Sequence, residues 1–69
     1  MPLKNNLKEY RNRLGVNQQE MGMLVETSRQ TISQIERGDY SPSVTLALRL
    51  AKACGCTVEE LFSYEEDEK

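Results

Sequence analysis

Arg29, Gln30, Ser33, Gln34 and Arg37 fall within nine residues, and their types and spacing make a hydrogen-bonding surface. On a helix that turns Ile32 and Ile35 toward a core, these five share the outer face. An arginine fork matches the acceptor pair of guanine, a glutamine amide matches adenine, and a serine hydroxyl donates or accepts at several base edges. No carboxylate lies between Ser28 and Gln34, so nothing on that stretch repels a phosphate backbone. The same pattern also suits the solvated face of an ordinary helix, and periodicity alone does not separate the two.

A second group precedes it. Asn17 and Gln18 stand at the start of the preceding apolar-periodic segment, where free backbone N–H groups and the helix dipole favour a phosphate. A contact there would set the angle at which the following helix enters a groove. Capping by Asn17 is compatible with that role. Tyr40 and Ser41, in the polar stretch after Gly38, are also within reach of a backbone.

Catalytic chemistry finds little to work with. The chain has no histidine, two cysteines separated by one residue, and no glycine-rich phosphate loop. No nucleophile is paired with a base, a chain of 69 residues is small for a substrate pocket, and neither an enzyme nor a cofactor is expected. Cys54 and Cys56 are too close for an unstrained disulfide, and a zinc site would have to rely on carboxylates. No metal is expected, and the two thiols read as near-core filler in a reduced compartment.

The elements that position these residues are marked by caps. Leu3, Leu7, Tyr10 and Leu14 form one stripe of a helix over 4–14, which Gly15 ends. Asn17 and Glu20 have capping-box spacing and Val16 and Met21 staple spacing, which predicts a helix over 18–25 with Met21, Leu24 and Val25 buried. Glu26 and Thr27 interrupt, Ser28 caps again, and a third helix runs from Arg29 to Arg37 before Gly38. Two short helices joined by about three residues outline a helix-turn-helix.

Asp39 to Pro42 is a loop, since proline disfavours helix at the residue before it. A fourth helix over 43–54 is apolar nearly all round, central to a core or partly exposed to a partner. Gly55 ends it. Thr57 with Glu60, and Cys56 with Leu61, repeat the box and staple for a last helix over 58–63. No segment reads as strand, repeat or low-complexity sequence.

Sixty-nine residues make one domain, and net charge is −2. Residues 1–62 carry eight Lys or Arg against seven Asp or Glu, a formal +1, and residues 63–69 carry four acids and one Lys, a formal −3. The expected division is a helix-turn-helix domain over 1–62 and an acidic, solvated tail over 63–69. No stretch approaches the roughly 20 apolar residues of a membrane span and no secretory signal is visible, so a cytoplasmic location is expected.

The run Asn17-Gln18-Gln19-Glu20-Met21-Gly22, followed by Ser28-Arg29-Gln30-Thr31-Ile32-Ser33-Gln34-Ile35-Glu36-Arg37-Gly38, resembles the phage-repressor and Cro type of helix-turn-helix domain, the xenobiotic-response-element family. The resemblance continues through Ser41-Pro42-Ser43, Leu50-Ala51-Lys52-Ala53, Gly55 and Val58-Glu59-Glu60-Leu61-Phe62, covering about residues 5–62. It implies an all-α, compact five-helix lambda-repressor-like domain. It also implies a transcription regulator, expected to be a repressor, that inserts the helix over 28–37 into the major groove of double-stranded operator DNA.

Carried over by position, the resemblance makes Arg29, Gln30, Ser33 and Gln34 base readers. Asn17, Gln18, Thr31, Arg37 and Tyr40 become phosphate contacts, and Arg11 and Glu36 a structural ion pair. A homodimer on a pseudo-palindrome is expected, with Val58, Leu61, Phe62 and Tyr64 as its surface. The alternative is an antitoxin or protein-interaction module on the same fold, which the apolar fourth helix and acidic tail would serve. Three positions depart from the family pattern: Glu26 where glycine is frequent, Gly22 where alanine is usual, and Cys54 in place of a large aliphatic residue. They bear on stability rather than on the groove-facing set.

Overall fold

The computed structural model describes residues 3–65, in the order β1 (Leu3–Asn5), α1 (Leu7–Leu14), α2 (Gln18–Leu24), α3 (Arg29–Arg37), α4 (Val44–Cys54), α5 (Val58–Leu61) and β2 (Phe62–Tyr64). All five expected helices are present, and each of the last four starts where a side-chain cap satisfies its free N–H groups. Asn17 and Thr57 form full capping boxes with Glu20 and Glu60, and the hydroxyls of Ser28 and Ser43 accept from Thr31 and Leu46. At the end of α3, Gly38 takes φ 81°, a left-handed turn that costs a glycine nothing and lets its N–H close on Gln34 and Ile35.

The expectation that no segment forms strand is corrected. β1 and β2 pair as an antiparallel ribbon, with Leu3 opposite Tyr64, Lys4 opposite Ser63 and Asn5 opposite Phe62. Leu3 therefore belongs to a strand rather than to the first helix, which begins three residues later than its apolar stripe suggests. The last helix stops at Leu61 instead of 63, because Phe62 turns to extended backbone at φ −125°, ψ 144°. Ser63 and Tyr64, the first residues of the expected acidic tail, are ribbon residues, and positions 66–69 of that tail lie outside the described residues.

The core is a single cluster of Leu7, Met21, Val25, Ile32, Ile35, Leu50, Ala51, Leu61 and Phe62, drawn from every helix and from β2. Burying a leucine- or isoleucine-sized side chain contributes roughly 1.5–3 kcal/mol, so these few residues are the main stabilising term of a small domain. Val16 and Cys56 pack against the cluster that holds Met21 and Leu61, as their staple spacings require.

Two expectations about burial are corrected, those for Leu24 and for the dimerisation surface. Leu24 is 58% exposed, since α2 turns Met21 and Gly22 inward, with Val25 next to them beyond its end, and Leu24 falls on the other side of Met21. Of the two readings its sequence left open, the fourth helix takes the partly exposed one. Leu50 and Ala51 are buried, while Val44 and Leu48, four residues apart, stand on an exposed side. Leu61 and Phe62 are core residues, so of the surface expected for dimerisation only Val58 and Tyr64 keep exposure.

Cys54 and Cys56 are half-buried, free and packed against the core. Burial, with Cys56 nearby, pushes the Cys54 thiol up to about 11, and burial followed by Glu60 raises that of Cys56. Both are protonated fillers at neutral pH.

Candidate nucleic-acid interface

The interface starts from two buried isoleucines. Ile32 and Ile35 anchor α3 in the core, and that rotation leaves Arg29 and Gln30 exposed at its start. Ser33 and Gln34 follow one turn later, half-buried at the edge of the same face. The structure thus brings the four expected base readers together on one helix side. Thr31 is half-buried, with its hydroxyl 2.9 Å from that of Ser28 and its N–H 3.0 Å from the same oxygen, and this locks the first turn of α3. Tyr40 is exposed in the loop beyond.

What fixes α3 against α2 is a close backbone approach. A Cβ built on Gly22 would lie 2.8 Å from the carbonyl oxygen of Thr27 and 3.1 Å from the carbonyl carbon of Ser28, both main-chain atoms. The Thr27 N–H closes the turn by donating to the Gly22 carbonyl at 2.7 Å. Glycine at this departure from the family pattern is what lets the turn sit so tightly. A second departure, Glu26, adopts φ 63°, the left-handed region, in which a residue with a Cβ is strained by about 1 kcal/mol or more.

A buried polar node ties the face to the rest of the domain. Glu36, on the inner side of α3, accepts from Arg11 Nε at 2.6 Å and Nη2 at 3.3 Å, and from Gln18 Nε2 at 3.0 Å. The third arm of Arg11 donates to the Val16 carbonyl at 3.0 Å. The Arg11 and Glu36 side chains are 11% and 6% exposed, and no buried side-chain polar atom among the described residues lacks a partner. One carboxylate therefore joins α1, the start of α2 and α3, as the expected ion pair required, and it also holds Gln18.

Gln18 keeps its carbonyl oxygen and one amide hydrogen for other partners. Asn17 is more committed, since its side-chain oxygen accepts from Glu20 N–H and its own N–H donates to the Glu20 carboxylate. Only the Asn17 amide nitrogen remains unengaged there.

Two details were not legible in the residue pattern. Asn5 donates to the Ile35 carbonyl at 2.8 Å and accepts from Leu7 N–H at 3.1 Å, so the ribbon holds the end of α3 and starts α1 with one side chain. Arg37 donates to Ser33 Oγ at 2.8 Å and to Asp39 at 3.1 Å, folding back along the outer face of α3.

A polar helix anchored by two isoleucines and held by a preceding helix across a tight turn is a helix-turn-helix. Residues 7–61 match the helix-turn-helix family HTH_3, and the chain belongs to it. It is 45% identical over 65 residues to the uncharacterized helix-turn-helix-type transcriptional regulator YgzD of Bacillus subtilis, covering 94% of this chain and 98% of that protein. A second uncharacterized regulator of the same type, from Methanocaldococcus jannaschii, is 44% identical over 66 residues, covering 96% and 100%.

Among solved structures, the P22 c2 repressor in complex with a synthetic operator superposes with a TM-score of 0.75 at 32% identity, over 77% of this chain and 80% of that one. The restriction-modification controller protein C.AhdI of Aeromonas hydrophila gives 0.72 at 30% identity, over 78% of each.

Proposed function

We propose that the chain is a sequence-specific DNA-binding transcription regulator acting as a repressor, with α3 inserted in the major groove. The observation that carries this reading is the single groove-facing side of α3, where Arg29 and Gln30 are exposed and Ser33 and Gln34 follow one turn on. Those four are the base readers, and Asn17, Gln18, Thr31 and Tyr40 are the backbone contacts that orient them. The operator complex of the similar P22 c2 repressor supports the same use of the fold. Regulation here means occupancy of a site, with no bond made or broken, and the protein works beside DNA in the cytoplasm.

One short recognition helix spans too few base pairs for useful specificity, so the working form is a homodimer on a pseudo-palindrome. Selection from a random duplex library, followed by titration of the selected site at two salt concentrations, tests this. The expected result is a palindrome bound with an affinity that falls steeply as salt rises. Absence of any enriched motif would overturn it.

A second reading, docking of a protein partner in the manner of an antitoxin, is favoured by Val44 and Leu48 on the open side of α4 and by Met23, 72% exposed, on α2. It gains if selection on DNA fails.

A further inference from the structure

By resemblance Arg37 belongs with the phosphate contacts, but the geometry points to a different role, in which Arg37 reads a guanine base edge and Asp39 positions it. The inference rests on the major-groove reading of α3. Arg37 Cα lies in the last turn of α3, yet its Nη1 donates to Ser33 Oγ at 2.8 Å. Four residues of helix are about 6 Å of rise, so the guanidinium sits one turn back toward the start of α3, level with a base-reading position. Side chains on a helix lean toward its N-terminus, and this one does so along the groove-facing side.

Asp39 completes the arrangement by accepting from Arg37 Nε at 3.1 Å. A guanidinium has five N–H groups, and the two used here leave three, one on Nη1 and two on Nη2. Two neighbouring N–H groups are what guanine O6 and N7 accept. Ser33, having accepted from Arg37, keeps its own hydroxyl hydrogen for a base acceptor. A phosphate clamp would be built otherwise. Here the Asp39 carboxylate cancels the Arg37 charge at the spot where attraction to a phosphate is wanted, and it would face that phosphate once Arg37 swung outward. Cancellation of charge weakens general attraction to DNA, whereas a fixed fork sharpens a choice among bases.

The pair is solvent-exposed, with side chains 58% and 62% accessible, so its substitution leaves the core intact. The test compares motifs selected from a random duplex library by the unaltered chain, Arg37→Lys and Asp39→Asn, with helical circular dichroism confirming that each is folded. The unaltered chain is expected to select a guanine at one base pair on the Arg37 side of each half-site. Arg37→Lys keeps the charge but loses the fork, and it should reduce that preference roughly tenfold or more while the rest of the motif stands. Asp39→Asn should weaken the same preference and raise affinity for duplexes of unrelated sequence.

A motif unchanged in Arg37→Lys would overturn the reading role, the more so if Arg37→Ala lowers affinity equally for all sequences and reduces the salt slope by about one. A guanine preference untouched in Asp39→Asn would overturn the positioning role. No motif for the unaltered chain would overturn the regulator reading as well, which separates that failure from the others.

Discussion

Glu36 is a position where a single substitution should do heavy damage to the fold. Its carboxylate takes two bonds from Arg11 and one from Gln18, and the ion pair is about nine-tenths buried. Glu36→Met leaves the Arg11 guanidinium inside the domain with one protein acceptor, the Val16 carbonyl. Stripping one partner from such a pair costs about 3–5 kcal/mol. A domain of this size has roughly 3–10 kcal/mol in all, so the variant should sit near the edge of unfolding. Arg11→Met strands the carboxylate with Gln18 alone and should cost a similar amount.

Replacing both at once, Arg11→Met with Glu36→Met, removes the stranded charge and fills the space with apolar atoms. The double variant should therefore be more stable than either single one, with a coupling of several kcal/mol in the cycle. Urea denaturation followed by circular dichroism gives the four free energies, and similar slopes would show that the same surface is exposed each time. Two results would refute the reasoning: a loss below about 1 kcal/mol in Glu36→Met, or a double variant whose loss equals the sum of the singles.

Other expectations concern the turn, the face and the thiols. Gly22→Ala brings a methyl within 2.8 Å of the Thr27 carbonyl oxygen, so a displacement costing about 1–3 kcal/mol should outweigh a helix-propensity gain near 1 kcal/mol, and a raised melting temperature would contradict this. Glu26→Gly relieves φ 63° and should raise the melting point by a few degrees, the gain being partly offset by a more flexible unfolded chain; a lower melting point would show that the turn is not strained. Gln30→Ala should relax base preference at one position, whereas Gln18→Ala should weaken binding to every sequence alike; equal effects of both on all sequences would contradict the assigned roles.

Cys54, raised from 9.0 to about 11, is neutral in the folded state over a range in which the unfolded thiol ionises. Its contribution to stability is thus whole below pH 9 and falls away as pH rises from 9 to 11. Denaturation at about pH 8 and about pH 10.5, below and within that window, should show a larger drop for the unaltered chain than for Cys54→Ala, and equal drops would reject the assignment.

The parts of this molecule legible in its residues are those settled within one turn of chain. Asn17 with Glu20, Ser28, and Thr57 with Glu60 announce helix starts because the cap and its target lie three residues apart, and the structure has each of those bonds. The rotation of α3 was legible for a similar reason, since Ile32 and Ile35 alone decide which polar residues face outward. The ribbon was not, because three-residue strands carry no alternation and their pairing spans the whole chain. Phe62 looked like a helical surface residue until pairing with Asn5 turned it inward, and Leu24 fits an apolar stripe that α2 is too short to complete. The Arg37 fold-back depends on the rotamer of a long side chain, which spacing does not encode.

The ribbon also has a mechanical consequence. Leu3 and Tyr64 face each other, so the described chain enters and leaves the domain side by side, like the two ends of a loop of string pinched together. The pinch is wired to the groove-facing helix through Asn5, whose amide holds the Ile35 carbonyl near the end of α3. A pull on either end loads this ribbon before it reaches the core, and the first part of α3 to feel it is its last turn, the one that carries Arg37. Anything tethered at one end therefore hangs beside anything tethered at the other.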